Sequence, residues 1–298
     1  MAQFFPHILS VIAGGKEAAE AAGAIRAAVA TTGTADEIRW LAPFHAFDIP
    51  FLDKPEQTLA AARAVAPEIS LDINVVPAEH RKKKLLVADM DSTIIGCECI
   101  DELADMAGLK PLSAPSTERA MRGELDFEQA LRERVALLKG LDLDALRRVY
   151  EERVRLNPGA RTLVMTMRAH GAHTLLVSGG FTYFTSRVAK AAGFEEEQAN
   201  VLMDDGVVLT GRVKDPILGR EAKLAALERT VARLRLAPSD ALAVGDGAND
   251  LAMIGRAGLG VAYHAKPVVA AAAGARIDHG DLTALLYLQG YREDEIAK

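Results

Sequence analysis

The chain has 298 residues, half of them hydrophobic and 26% charged, which suits a folded globular protein of one large or two smaller domains. Lys plus Arg (35) against Asp plus Glu (41) leaves a net charge of -6, so nucleic acid and anionic membrane are not expected partners, and the basic cluster Arg81 to Lys84 reads as a solvated linker. No apolar run approaches the ~20 residues of a membrane helix, Phe4 to Ala13 lacks the flanks of a signal peptide, and the two cysteines, Cys97 and Cys99, have neither zinc nor relaxed disulfide spacing, so a cytoplasmic setting is expected.

Residues 1 to about 80 read as a small α+β domain. Strands are expected at His7 to Ala13, Glu37 to Phe51 and Ile69 to Val76, with Ala-rich helices at Lys16 to Thr32 and Glu56 to Ala66, a β-α-β-α-β order. By layout this segment resembles an ACT-like amino-acid-binding domain. No motif in it specifies a ligand, so a regulatory, a packing and a dimerising role stay open, a homodimer being one expectation.

From residue 81 to the end, apolar strand candidates alternate with amphipathic helices, which predicts an α/β fold with a Rossmann-like, doubly wound parallel sheet. The first strand is the run Lys84 to Ala88, ending at Asp89. His173 to Ser178, Ala241 to Asp246 and Gly258 to Ala262 are further strands, and Val201 to Val213, split by Asp204-Asp205-Gly206, reads as a hairpin. The block from about 98 to 157 is helical throughout and breaks the alternation. Inserted after the first strand, it would form a helical cap over the active end.

Ligands collect beyond the carboxyl ends of parallel strands, and here Asp89 and Asp91 stand two residues apart at such an end. Burying two like charges so close together calls for a cation or a shared proton. Ser178-Gly179-Gly180 lies between strand and helix, where a hydroxyl and open backbone N–H groups suit an anion, although a Ser N-cap with glycines is also a common turn. Lys223 falls in the first turn of a helix predicted for Glu221 to Leu236, a position that opposes the helix dipole; from the helix alone, a solvated lysine beside Glu221 stays open. Gly245-Asp246-Gly247-Ala248-Asn249-Asp250 brings a third acid to the same edge. Three converging carboxylates need a hard cation, and Mg2+ suits a phosphate substrate.

In the cap, Phe127, Leu131, Arg134 and Leu138 share one helix face. The neighbours of Arg134 at three and four residues are all apolar, so no acid on its own helix can pair with it. A substrate carboxylate would answer it, as would an acid on another element. Glu98, between two cysteines and near Ile94, Ile95 and Ile100, could accept an ammonium group, or simply lie on the surface.

The stretch Asp89-Met90-Asp91-Ser92-Thr93, with Ser178, Lys223 and Gly245 to Asp250 following in order, resembles the four motifs of the haloacid dehalogenase-like superfamily. The cap stretch Ala120-Met121-Arg122-Gly123-Glu124 through Phe127 to Leu138, with Glu98, is similar to that of the phosphoserine phosphatase family within it. The resemblance covers about residues 84 to 285. It implies hydrolysis of O-phosphoserine, the last step of serine biosynthesis, with Asp89 as nucleophile and Asp91 as general acid and base. It further implies Mg2+ at Asp89, Asp91 (through its carbonyl) and Asp246, with Asp250 behind them. Ser178, Gly179, Asn249 and Lys223 would surround the phosphate and amino acid, with Glu98, Met121, Phe127 and Arg134 on the substrate from the cap. Another small phosphate ester as substrate, transfer to a second alcohol, or an amino-acid sensor without turnover are the alternatives.

Overall fold

A hairpin-bearing βαββαβ unit begins the chain in the computed structural model, which describes residues 3–13, 17–65, 70–109 and 126–297. Its elements are β1 (His7–Ala13), α1 (Ala18–Thr32), β2 (Arg39–Ala42), β3 (Ala46–Phe51), α2 (Pro55–Ala64) and β4 (Leu71–Pro77), in an antiparallel sheet of order β2-β3-β1-β4. The single strand expected over Glu37 to Phe51 is therefore two. Pro43 has no N–H for a ladder, Phe44 turns the chain with a φ of 65°, and His45 N–H closes on the Ala42 carbonyl at 3.1 Å.

Both faces of this sheet are covered, in step with the two-residue period of a strand. Leu9, Val11, Phe47 and Ile49 pack with Ala21, Ile25 and Val29 of α1. Ile8, Ile12, Ala46 and Val76 point the other way and share a core with Tyr287 and Leu288 of the large domain. Each buried Leu, Ile or Val among them contributes ~2 kcal/mol relative to exposure. Polar groups fix the register between the domains. Asp72, buried in β4, accepts N–H groups from Asp278 (2.7 Å), His279 (3.2 Å) and Gly280 (2.7 Å), and Asn74 exchanges two hydrogen bonds with the backbone of Arg276. Arg81 pairs with Asp48 and donates to the carbonyls of Leu288 (2.7 Å) and Tyr287 (3.0 Å).

The large domain is built on β5 (Leu85–Ala88), β6 (His173–Phe181), β7 (Glu196–Asn200), β10 (Ala241–Gly245), β11 (Leu259–Tyr263) and β12 (Ala275–Ile277). All pairings are parallel, in the order β12-β11-β10-β5-β6-β7. The run Leu85 to Ala88 is apolar at every position because helices cover both faces. Leu86 and Ala88 face the side of α6 (Ala160–Ala169) and α7 (Thr182–Ala192), while Leu85 and Val87 meet Leu227 and Val231 of α8 (Arg220–Arg233). After β5 the chain builds outward through β6 and β7, then returns to lay β10 on the other side of β5. A crevice opens at the carboxyl ends where the winding reverses.

Between β5 and β6 lie α3 (Cys99–Met106), α4 (Phe127–Leu137) and α5 (Asp144–Arg153), the expected helical cap. Met121 lies outside the described residues. α4 starts where Asp126 and Gln129 cap each other, Asp126 Oδ1 accepting the Gln129 N–H at 2.8 Å. Arg153 ties α5 to α3 through Glu102 and Asp105, both at 2.6 Å. The hairpin β8 (Leu202–Asp204) and β9 (Leu209–Val213) reaches the cap through Gly140 N–H, which donates to the Leu209 carbonyl at 2.8 Å. Behind the crevice the domain closes with α9 (Leu251–Arg256), α10 (Pro267–Ala272) and α11 (Ala284–Leu288). Among the described residues no helix is long and apolar enough to cross a membrane.

Candidate active site

Asp89 follows β5 directly, and its N–H donates to the Val244 carbonyl of β10 at 3.0 Å. That bond aligns two adjacent strand ends, so Asp89 and Asp246 leave the sheet at one edge. Asp250 joins them from the short turn before α9, with one carboxylate oxygen from each of the three acids within 4.8 Å of the others. The glycines between them have a steric reason. A Cβ on Gly245 would stand 2.3 Å from Asp250 Cγ, and one on Gly247 would stand 2.4 Å from Asn249 Oδ1.

Lys223, in the first turn of α8, is buried with its Nζ 2.6 Å from Asp89 Oδ1 and 2.7 Å from Asp250 Oδ1. The solvated alternative is excluded by this placement. The lysine lies behind the acids rather than on the cleft wall. Burial works to depress the ammonium, but the Asp89 and Asp250 carboxylates outweigh it and hold its pKa above the ordinary lysine value. Asp89 is pushed well up by burial and by the charges of Asp250 and Asp91, against the pull of Lys223. Asp246 rises to about 6, first through burial and then through Asp250 and Glu98, with Thr93 Oγ1 donating to its Oδ1 at 3.2 Å in partial compensation.

One ammonium therefore faces three clustered carboxylates in a desolvated setting, and Asp89 and Asp246 are left protonating more readily than free acids. A hard divalent cation with oxygen ligands relieves that imbalance, so the residues present fit one. Asp250, expected behind the ligands, is bonded to Lys223 and to the Gly247 N–H. The Asp91 side chain turns aside from the cluster: Oδ1 accepts the Cys99 N–H at 2.9 Å and Oδ2 accepts the Ser178 hydroxyl at 3.1 Å. Burial, then the charge of Glu98, lift Asp91 to about 6 against those hydrogen bonds. A carboxyl of that pKa can both give and take a proton near neutral pH.

The remaining expected residues line one cleft of about 700 Å³ between the sheet edge and the cap, among them Glu98, Phe127, Arg134, Ser178, Gly179 and Asn249. β6 continues through both glycines to Phe181, so the helix after Ser178 starts one residue later than its sequence suggests. Gly179 is required because the Phe127 ring lies on it: a Cβ there would meet Phe127 Cζ at 2.9 Å. Gly180 N–H donates to Ser178 Oγ at 2.8 Å. Arg134 does find an acid, but on another helix. Its Nη2 pairs with Asp101 of α3, while its Nε is buried without a partner.

Three contributors escaped the sequence reading. Thr93 holds Asp246, Asp101 holds Arg134, and Ser92 donates to Glu98 Oε1 at 2.7 Å. Thr93 and Ser92 sat in plain view within the Asp89 motif, whereas the Asp101 pairing depends on how two cap helices meet and leaves no local trace.

A family model for haloacid dehalogenase-like hydrolases matches residues 86–255. A phosphoserine phosphatase of Polaromonas sp. is 45% identical over 229 residues, 75% of this chain and 97% of that protein. One of Streptomyces coelicolor is 41% identical over 98% of this chain and 72% of its own length. Among solved structures, a haloacid dehalogenase family hydrolase from Salmonella enterica serovar Typhi superposes with a TM-score of 0.83 at 29% identity, covering 95% of this chain and 98% of that one, N-terminal module included. With the sheet, the four motifs and these relatives in agreement, the chain belongs to the haloacid dehalogenase-like hydrolases.

Proposed function

We infer that this chain is a phosphoserine phosphatase, cleaving O-phosphoserine to serine and inorganic phosphate. The observation that carries the reading is one cleft lined by Asp89, Asp91 and Asp246 from the sheet edge and by a guanidinium and a carboxylate, Arg134 and Glu98, suited to an α-amino acid. The named relatives act on that compound by their titles.

Lys223 and Met90 N–H both bond Asp89 Oδ1, which leaves Oδ2 as the atom for attack. Oδ2 forms the bond to phosphorus as the ester P–O bond breaks, and Asp91 gives its proton to the departing serine oxygen. Water then attacks the acyl phosphate, Asp91 takes the proton back, and Asp89 is regenerated. Ser178, donating to Asp91 Oδ2, keeps that carboxyl turned toward the leaving group. Phe127, lying over Gly179, excludes water from the same side. Asp89 and Asp246, with the Asp91 carbonyl, would hold Mg2+, with Asp250 behind them bonded to Lys223 and the Gly247 N–H; the ion would supply positive charge to offset the repulsion between an anionic nucleophile and a phosphate dianion.

Glu98 receives the substrate ammonium, and Arg134, with donors beyond the Nη2 used by Asp101, receives the carboxylate. Met121 is proposed to pack on the substrate from the same cap. A cytoplasmic setting fits two free thiols, Cys97 and Cys99. A homodimer is part of the proposal for the N-terminal module, whose edge strand β2 exposes Trp40, and sizing chromatography checks it.

The test is phosphate release from O-phosphoserine with Mg2+ and after chelation, together with trapping of labelled enzyme. Wild type should release phosphate only with metal and carry label; Asp89→Asn should do neither. Release at the wild-type rate by Asp89→Asn refutes the nucleophile, and a wild type inert toward O-phosphoserine refutes the substrate.

A further inference from the structure

Within the turn that carries Asp89 and Asp91, Ser92 has a left-handed backbone, with φ 57° and ψ 3°. Residues with a Cβ occupy that region at a cost, and glycine would sit there freely. A serine at this place is explained if its hydroxyl is needed. The backbone fixes where that hydroxyl lies: Ser92 N–H donates to the Cys97 carbonyl at 3.3 Å, and Ile95 N–H donates to the Met90 carbonyl at 3.0 Å, closing the loop on itself. The hydroxyl then donates to Glu98 Oε1 at 2.7 Å.

Glu98 needs such a hold. It is exposed, stands just before α3 and makes no side-chain capping bond to that helix, so packing does not choose its rotamer. Yet Glu98 lines the same cleft as Asp91 and Ser178. A long carboxylate left to itself samples many orientations, and one charged hydrogen bond from a rigid turn removes most of them.

We propose that Ser92 is a positioning residue for substrate specificity: its hydroxyl holds the Glu98 carboxylate at the cleft wall, where that carboxylate meets the ammonium group of a phosphorylated amino acid. The role rests on the reading of the cleft as an O-phosphoserine site. It adds a residue that touches no substrate yet decides how well the amine is read.

The test compares O-phosphoserine with 3-phosphooxypropanoate, which keeps the phosphate and carboxylate and has hydrogen in place of the ammonium. Ser92→Gly removes the hydroxyl and relieves the backbone, so its melting temperature should equal or exceed that of wild type. Its kcat/KM for O-phosphoserine should fall about tenfold, the worth of a hydrogen bond to a charged group, mainly through KM. Its kcat/KM for 3-phosphooxypropanoate should hardly move. Ser92→Ala should show the same kinetic loss with a lower melting temperature, which separates the hydroxyl from the backbone. Equal losses on both esters, or no loss on O-phosphoserine, overturn the role of Ser92 while wild type still prefers the amino acid. If wild type itself does not distinguish the two esters, the amine assignment of Glu98 fails first and takes the Ser92 role with it.

Discussion

Replacing Lys223 by methionine isolates the electrostatics on which the site is built. The methionine side chain fills much of the space of the lysine stem but brings no charge, so Asp89 and Asp250, with side chains 7% and 0% exposed, are left facing each other. Removing one partner of a buried pair costs ~3–5 kcal/mol. At ~2–4 °C per kcal/mol for a domain of this size, the melting temperature should drop by about 6–20 °C. The sign with pH follows from the shifts. Lys223 has its folded pKa raised above the ordinary 10.5, so its contribution is complete at neutral pH and is lost only above that value. In the variant Asp89, already pushed up by burial and by the Asp250 charge, loses the pull of Lys223 and takes a proton more readily, so the deficit should narrow toward pH 5. The assay is calorimetry of both proteins in chelator at pH 7.5 and pH 5, with activity measured in Mg2+. A variant melting within about 2 °C of wild type at pH 7.5, or a deficit that widens on acidification, would refute the reasoning.

Other consequences are equally direct. Asp91 and Asp246 are both raised to about 6, so the folded metal-free protein binds their protons more tightly than the unfolded chain does. That stabilises it at low pH, and the benefit is lost between about 4 and 6 as pH rises. The gain in melting temperature from saturating Mg2+ should therefore be small at pH 5 and grow through pH 6 to 7.5; a gain independent of pH contradicts it. Gly245→Ala places a methyl 2.3 Å from Asp250 Cγ and must displace that acid from Lys223. Displacement of ~1 Å near the chemistry costs about 100-fold, so kcat should fall by that order, and a near-normal kcat would show that the acid is not needed in place. Asp72→Ala strips the acceptor from three N–H groups and should lower unfolding free energy by about 3 kcal/mol in urea, with Asp72→Asn milder; no change for the alanine variant means that those donors find water.

Sequence alone brings most of the candidate site's residues to one sheet edge because its signals are local. An apolar run followed by an acid can be read as a parallel strand delivering a carboxylate, and β5 does deliver Asp89. Gly245 and Asp250 are five residues apart, so their contact is written in one turn. What failed to show was set by longer connections. Whether Lys223 was solvated or buried could not follow from its helix, because the acids that bury it come from residues 89 and 250. Arg134 has no acid three or four residues away on α4, and the sequence has no means of bringing α3 and Asp101 against it. The hairpin of β2 and β3 was a different kind of miss. Pro43 marks the break, but the hydrophobic pattern on either side is continuous, so the sequence predicts one strand.

The N-terminal module follows from the same physics and bears on the site more than its distance suggests. Its sheet buries Ile8 and Ile12 against Tyr287 and Leu288, so the module closes the large domain's core rather than hanging beside it. Asp72 then accepts the N–H groups of residues 278 to 280, and the Gly280 carbonyl meets His264 Nε2 at 2.9 Å. His264 begins the segment after β11 with a φ of 43°, and two residues on, Lys266 N–H donates to the Asp246 carbonyl at 3.2 Å. A strained turn persists only where its surroundings hold it. The imidazole that holds this one leads through Gly280 to the buried Asp72 carboxylate, so β4 of the small domain braces the loop on which Asp246 rests.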